Sequence, residues 1–202
     1  MTPPENASAP TSHAGDALDT AGPTDRDMSA GRTLLDAAIA YAARGWYVVP
    51  LHSIGPDGRC TCAAPDSDRV CDAETPAPGK HPRTPRGEHD ATIDEPTIRK
   101  WWTRWPDSNV GIVLEPSGLV VLDVDVGKGK RGAESLAAID AALPPTLTAR
   151  TGSGGLHAIY SRPDGVVPSR KIGTDKTTHP GLDLLGRGYV VAAPSRHVSG
   201  GQ

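Results

Sequence analysis

Apolar residues recur along this chain in two alternating patterns, one helical and one strand-like. Between residues 32 and 44 they return every three or four positions, which predicts a first helix. The same spacing returns over residues 94–105 with three tryptophans, where Asp94 is suited to cap a helix and Pro96 to occupy its first turn. A third helix is predicted over residues 132–143.

Short apolar runs of β-rich composition separate these helices and predict strands. They lie at residues 46–51, 109–114, 118–126, 147–151, 156–161 and 189–193. The turn Glu115-Pro116-Ser117-Gly118 divides the second run from the third, so these two are expected to pair as an antiparallel hairpin. Many strands with few helices favour an α+β domain, here expected to contain a mixed β-sheet with flanking helices.

Two stretches depart from this pattern. Residues 1–30 are rich in Pro, Ala, Ser, Thr and Asp with almost no large apolar side chain, which predicts a disordered acidic tail. The remaining residues 31–202 are expected to form one domain. Within it, residues 52–92 form a long loop dense in Pro and Gly that contains all three cysteines, and a loop of this length indicates a special role.

Composition excludes some classes of protein. The chain has 202 residues, of which 37% are hydrophobic, and no apolar stretch approaches the ~20 residues of a membrane span, so a soluble protein is expected. Three cysteines without a signal-like segment favour the cytoplasm. The net charge of −3 excludes a basic coat but leaves room for a local basic groove, since residues 1–30 contain five acidic residues and one Arg.

Asp123 and Asp125 are the first candidates for chemistry, because they end the most apolar strand. The two-residue period of a strand places both carboxylates on one face, where they repel each other unless a cation lies between them. Oxygen ligands on a rigid strand suit Mg²⁺ or Mn²⁺. The same pair is equally compatible with a solvated turn, since Gly127 follows at once.

Two further segments contain candidate groups. The glycine-rich turn of residues 151–155 leads into a strand with His157, and Ser153, Gly154 and Gly155 are suited to approach a phosphate closely. An ordinary hairpin with a strand histidine would have the same composition. Asp183 lies between two leucines, so it is either a third metal-binding acid or a buried, hydrogen-bonded turn residue.

The cysteines of the long loop indicate a structural zinc site. Three thiolates and an imidazole form a closed tetrahedral Zn²⁺ site. The proposed ligands are Cys60, Cys62, Cys71 and His81. His52 or His89 could replace His81 as the fourth ligand, and three reduced thiols without metal are the alternative.

Taken in order, these segments resemble one family. They are Asn109-Val110-Gly111-Ile112, Ser117 to Asp125, Ser153 to His157, Gly181-Leu182-Asp183 and Tyr189 to Ser195. The pattern is similar to the N-terminal domain of bifunctional DNA primase/polymerases, of the archaeo-eukaryotic primase superfamily, which is common on plasmids, phages and integrated elements. The resemblance covers about residues 32–200.

The resemblance implies a catalytic core built on an α+β sheet like that of RNA-recognition motifs, with two divalent metals and a nucleoside triphosphate. Asp123, Asp125 and Asp183 would be the metal-binding acids and His157 the nucleotide-contacting histidine. Family members often have Ser where this chain has Gly155, so a hydroxyl contact would have to come from Ser153. Relatives often carry Gly-Lys-x-Pro near residue 80, which implies that Lys80 serves the nucleic acid or nucleotide independently of zinc.

Phosphoryl transfer also requires cations to balance the charge of the triphosphate. Lys171 and Arg187 flank Asp183 in sequence and are candidates for this role, although loop cations are usually only solvated. The family's core would continue beyond residue 202, so a fragment or truncated copy is expected, and a helicase would be a partner on another chain or missing segment.

The leading hypothesis is therefore a primase/polymerase that makes primers from nucleoside triphosphates on a single-stranded DNA template. Two alternatives remain at the level of sequence. The same acids and histidine would serve a metal-dependent nuclease or phosphohydrolase. A zinc-stabilised module that binds DNA without catalysis is the other.

Overall fold

The computed structural model describes residues 33–63, 77–127, 129–139, 143–165 and 179–200. Its helices are α1 (Leu34–Ala42), α2 (Glu95–Arg104) and α3 (Gly132–Ala138). Its strands are β1 (Tyr47–Leu51), β2 (Asn109–Val113), β3 (Leu119–Val124), β4 (Leu147–Arg150), β5 (Leu156–Ser161), β6 (Leu182–Leu185) and β7 (Tyr189–Ala192). The α+β class predicted from sequence is confirmed, whereas the expected tail lies outside the described residues.

Local signals fix where the helices begin. Thr33 and Asp36 form a capping box at the start of α1, in which the Asp36 N–H donates to the Thr33 hydroxyl over 3.1 Å. The Asp94 carboxylate caps α2 by accepting the Thr97 N–H over 2.9 Å, as the sequence predicts. On α2 the apolar stripe turns inward, and Ile98 and Trp102 are buried.

The strands form two sheets in which every described pair is antiparallel. Their orders are β1-β2-β7 and β4-β5-β3-β6. The expected mixed sheet is therefore wrong, and so is the expected hairpin between β2 and β3. The reason is that β2 lies between β1 and β7 while β3 lies between β5 and β6, so both edges of each strand are already paired.

One hydrophobic core joins the two sheets and the first two helices. It contains side chains from α1, α2 and both sheets, namely Ala38, Ala42, Val48, Ile98, Trp102, Val110, Ile112, Leu114, Leu119, Val121, Ile159, Val190 and Ala192. β2 is buried along its whole length, and Gly111 gives it room, because a Cβ there would lie 3.0 Å from side-chain atoms of Val49 and Leu51. The shared core places β7 close to the carboxyl end of β3.

Among the described residues, no helix has both the length and the apolar character needed to cross a membrane.

Candidate active site

Three neighbouring strands bring three ionisable side chains into line. In the register of the four-stranded sheet, Asp123 on β3 is directly opposite His157 on β5 and also opposite Asp183 on β6. Residues directly opposite each other in antiparallel strands project from the same face of the sheet, with Cβ atoms about 5 Å apart. The structure thus brings together an imidazole and two carboxylates that are distant in sequence.

Asp125 stands just beyond the end of β3, two residues after Asp123. Its N–H donates to the Gly181 carbonyl over 2.8 Å, and its carbonyl accepts the Gly132 N–H over 2.9 Å. A Cβ on Gly132 would lie 2.5 Å from the Asp125 carbonyl oxygen, so only glycine permits this approach. The Asp125 carboxylate forms an ion pair with Lys130. These contacts hold Asp125 beside the start of β6, where Asp183 lies.

The crowding of acids changes the proton affinity of Asp123. Burial, with smaller contributions from the Asp125 and Asp183 carboxylates, raises the pKa of Asp123 to about 6, although the charges of Lys130 and Lys80 partly oppose this rise. A buried carboxylate facing two others is costly when ionised.

His157 is neutral beside Asp123 near neutral pH. Burial lowers the pKa of His157, the Asp125 charge partly offsets this, and the Lys80 ammonium lowers it again. The His157 Nε2 atom lies 3.5 Å from a carboxylate oxygen of Asp123. Although this distance would suit an ion pair, the lowered pKa means that the imidazole is uncharged there.

These donors fit a divalent cation. Asp123, Asp125 and Asp183 offer hard carboxylate oxygens, which Mg²⁺ and Mn²⁺ prefer. A cation among them would remove the repulsion that raises the pKa of Asp123. The sites of such ions would lie at the end of β3, where backbone contacts hold the chain rigid.

Asp123 and Asp125 open into a cleft of about 200 Å³ between the two sheets, whereas Asp183, opposite Asp123 on β6, is not among the described residues that line it. Its walls come from the loop before α2, the ends of β3 and β4, the glycine-rich turn, β5, β6, β7 and the segment after β7. The lining residues are Lys80, Asp123, Asp125, Arg150, Thr151, Gly152, Ser153, His157, Leu185, Tyr189, Val190, Val191, Ala193, Ser195 and His197.

The glycine-rich turn forms one wall of this cleft. The Thr151 N–H donates to the Gly155 carbonyl over 3.0 Å, and Gly154 has a φ of +89°, which favours glycine. At Gly155 a Cβ would lie 2.3 Å from the Val124 carbonyl oxygen. A serine there would be crowded by this contact, and the hydroxyls at the cleft are those of Thr151 and Ser153, 3.2 Å apart.

The cations of the cleft differ from those expected. Lys80 lines it as proposed, whereas Lys171 lies outside the described residues. Arg187 is exposed in the turn after β6 and is not among the described residues that line the cleft.

Sequence reasoning missed Arg150 and His197, which both line the cleft. Arg150 stands immediately before the glycine-rich turn, so its position in sequence could have indicated it. His197 follows the last strand and no pattern indicated it. The structure packs it against Gly152, where a Cβ would lie 2.1 Å from the His197 Cβ.

Three of the four predicted zinc ligands lie in the part of the chain that the structure describes. Ligand atoms of Cys60, Cys62 and His81 all lie within 4.8 Å of one another, and both cysteines are buried. Cys71 lies outside the described residues. Two thiolates and an imidazole can hold a soft or borderline metal ion. His89 is exposed and does not belong to this cluster of described residues.

Hydrogen bonding argues against His52 as the remaining ligand. Its Nδ1 lies 3.2 Å from the Thr61 hydroxyl oxygen, which already accepts the Ser53 N–H over 3.0 Å and an Arg83 N–H over 2.8 Å. The Nδ1 atom of His52 is therefore engaged by Thr61, and His52 does not belong to the Cys60/Cys62/His81 cluster of described residues.

Comparison with known proteins agrees with the residues assembled at the cleft. No curated protein matches the chain. A family profile described as bifunctional DNA primase/polymerase, N-terminal, matches residues 38–202, a range that contains all three acids, the histidine and the cysteine cluster. With most of its length matched, the chain belongs to the family of bifunctional DNA primase/polymerase N-terminal domains.

Proposed function

We propose that this domain synthesises primers from nucleoside triphosphates on a single-stranded DNA template, in the replication of a plasmid, phage or mobile element. One observation carries the proposal: the strand register that sets Asp123 opposite both Asp183 and His157 at the floor of a cleft. Family membership supports nucleotidyl transfer rather than another reaction of the same acids.

Asp123, Asp125 and Asp183 hold two Mg²⁺ or Mn²⁺ ions in this proposal. When bound, such ions lower the pKa of an attacking 3′-hydroxyl and neutralise the leaving pyrophosphate. The carboxylates fix the position of the reacting groups because β3 is central in its sheet and Asp125 is tied to Gly181 and Gly132. Their rigidity keeps distances constant during the reaction.

The walls of the cleft bind the nucleotide. Lys80 and Arg150 balance the charge of the triphosphate, and the hydroxyls of Thr151 and Ser153 donate hydrogen bonds to its oxygens. His157 is neutral, so it contacts the nucleotide as a hydrogen-bonding group and not as a cation. The positive charges of Lys80 and Arg150 in a cleft that also contains Asp123 and Asp125 suit a triphosphate that binds together with its metal ions.

The order of the four-stranded sheet supports an arrangement like that of RNA-recognition motifs. Its strands follow one another as β3, β4, β5 and β6, with α3 between the first two. In space the first strand is central, between the third and the fourth. This is the order expected of a β-α-β-β-α-β unit.

A structural Zn²⁺ ion is part of the proposal. Cys60, Cys62 and His81 supply three ligands, and Cys71 supplies the fourth. A site closed by four protein ligands stabilises a loop and takes no part in chemistry. It would hold the long loop against the end of β1, where His52 N–H donates to the His81 carbonyl over 2.8 Å.

Template-directed incorporation of labelled nucleotides, with Mg²⁺ or Mn²⁺, tests the proposal. Asp123→Ala and Asp183→Ala should each reduce incorporation by about 10³-fold or more, whereas Asp107→Ala, at an exposed loop position, should leave it unchanged. Incorporation that survives both substitutions would refute the assignment. Degradation of DNA without added triphosphates would indicate a hydrolase instead.

A further inference from the structure

Lys80 lies between two sites that are otherwise separate. Its neighbour His81 belongs to the Cys60/Cys62/His81 cluster, and its own side chain lines the cleft that contains the acids. A lysine side chain has several rotatable bonds, so its ammonium group occupies one place only if its backbone is held. The contacts of the backbone around Lys80 therefore set the point from which its side chain reaches the cleft.

The cluster holds this backbone on one side. The Gly79 N–H donates to the Sγ atom of Cys60 over 3.2 Å, a contact of the kind that metal-bound thiolates accept. Gly79 has a φ of +75°, and a Cβ there would lie 3.0 Å from the Ile54 Cδ1 atom. A glycine is thus required for the chain to turn at this point and to donate to the sulfur.

The far wall of the cleft holds the backbone around Lys80 on the other side. Asn109 on β2 is completely buried, and its side-chain amide donates to the Gly79 carbonyl over 2.9 Å and to the Arg196 carbonyl over 2.8 Å. Its side-chain oxygen accepts the Arg196 N–H over 2.8 Å. One buried side chain therefore joins the backbone before Lys80 to the segment that carries Ser195 and His197 into the cleft.

The charge of Lys80 acts inside the cleft. Burial is the main reason that the pKa values of His157 and His197 lie below the usual range, and the Lys80 ammonium lowers both further. Its charge also favours the ionised form of Asp123 against burial and the neighbouring carboxylates. These effects agree with a lysine directed toward the acids.

We propose that the metal ion bound by Cys60, Cys62 and His81 is a positioning device that fixes Lys80 at the cleft to receive the triphosphate of a nucleotide. The inference rests on the proposed function, and it makes the contribution of Lys80 depend on zinc. The sequence resemblance instead implies a lysine that acts independently of zinc. Lys80 is the triphosphate-binding residue, and the metal ligands are positioning residues.

Binding of inorganic triphosphate with Mg²⁺ tests the link without requiring polymerisation. The dissociation constant should rise by about tenfold on Lys80→Ala, as for the loss of one charged hydrogen bond. Cys62→Ser, or removal of zinc from the wild-type chain, should cause a similar rise. The double variant should bind no more weakly than either single variant, and Lys100→Ala, at an exposed lysine of α2, should bind like wild type.

Gly79→Ala tests the link if Cys62→Ser does not fold. This variant keeps all the metal ligands but strains the turn that donates to Cys60, so it should retain zinc at the wild-type stoichiometry and bind triphosphate more weakly. Wild-type affinity in this variant, or in the zinc-stripped chain, would overturn the inference. Losses that multiply to about 100-fold in the double variant would overturn it as well.

Failure of the inference is distinguishable from failure of the proposed function. If zinc-dependent triphosphate binding is found without nucleotide incorporation, the inference stands and primer synthesis is wrong. If nucleotides are incorporated but the dissociation constant for triphosphate is the same with and without zinc, only the inference about zinc is wrong.

Discussion

The carboxyl group of Asp123 is destabilised in its ionised form because it is largely buried and faces two other carboxylates. Such a group binds its proton more tightly in the folded chain than in the unfolded one. It therefore stabilises the fold fully below its unfolded pKa of 3.8, and this stability is lost as the pH rises through about 6.

Asp123→Asn should remove this pH dependence. Without divalent cations in the cleft, the asparagine variant should be more stable than wild type at pH 8, by on the order of 3 kcal/mol, and the difference should disappear toward pH 4. Urea unfolding across this pH range measures it. The exposed Asp107→Asn is the control, and a difference between wild type and Asp123→Asn that does not change with pH would contradict the assigned environment.

Gly155→Ser should destabilise the fold although the resemblance to the family implies a serine at this position. The new Cβ would lie 2.3 Å from the Val124 carbonyl oxygen, so we expect a loss of about 1–3 kcal/mol in the free energy of unfolding. Gly127→Ser is the matched control, since its Cβ would meet nothing closer than 3.7 Å. Equal stabilities of the two variants would show that the glycine is not needed for this approach.

At the scale of residues, the period of the strand predicted that Asp123 and Asp125 share a face. Sequence did not show which strands lie beside them, and so it could not derive the alignment with His157 and Asp183. It also favoured Arg187 because it is near Asp183 in the chain. An extended strand advances by about 3.3 Å per residue. A residue a few positions after Asp183 in the sequence can therefore lie far from it in space.

Among the elements, helix ends were predictable because their signals are local. Asp94 and Pro96 indicate the start of α2 independently of how the rest of the chain folds. Strand pairing depends on distant partners, and so the turn at residues 115–118 indicated a hairpin that the fold does not contain. The residues of that turn do not indicate that β2 pairs with β7 and that β3 pairs with β5.

Asp94→Ala should weaken α2 without affecting the cleft. Losing the bond from the Thr97 N–H should lower the free energy of unfolding. Chemical denaturation measures this, and Asp94→Ser, which keeps a capping oxygen, should recover most of the loss. A fully stable alanine variant would show that packing of Ile98 and Trp102 alone decides where the helix begins.

For the whole molecule, the cysteine cluster joins the long loop to the end of β1 and so should couple metal binding to folding. Zinc at about 100 times its dissociation constant should add about 2.7 kcal/mol to the free energy of unfolding. Cys62→Ser should abolish this gain, whereas Ser199→Ala, at an exposed position away from the cluster, should keep it. Stability independent of zinc in the wild-type chain would argue against a structural site.

Composition and net charge predicted little about the assembled molecule. An acidic chain still forms a cleft that Lys80 and Arg150 line together with Asp123 and Asp125, because the fold and not the net charge decides which charged groups lie together. The two separate sheets were not predictable either, since buried strands of both sheets share the same apolar composition.

Anomalous diffraction from crystals grown with Mn²⁺ and a nucleoside triphosphate would locate the metal ions directly. We expect manganese about 2 Å from carboxylate oxygens of Asp123 and Asp183, with the triphosphate in the cleft beside Lys80 and Arg150. Manganese bound elsewhere, with these two carboxylates left without a cation, would contradict the convergence of the acids into one metal-binding centre.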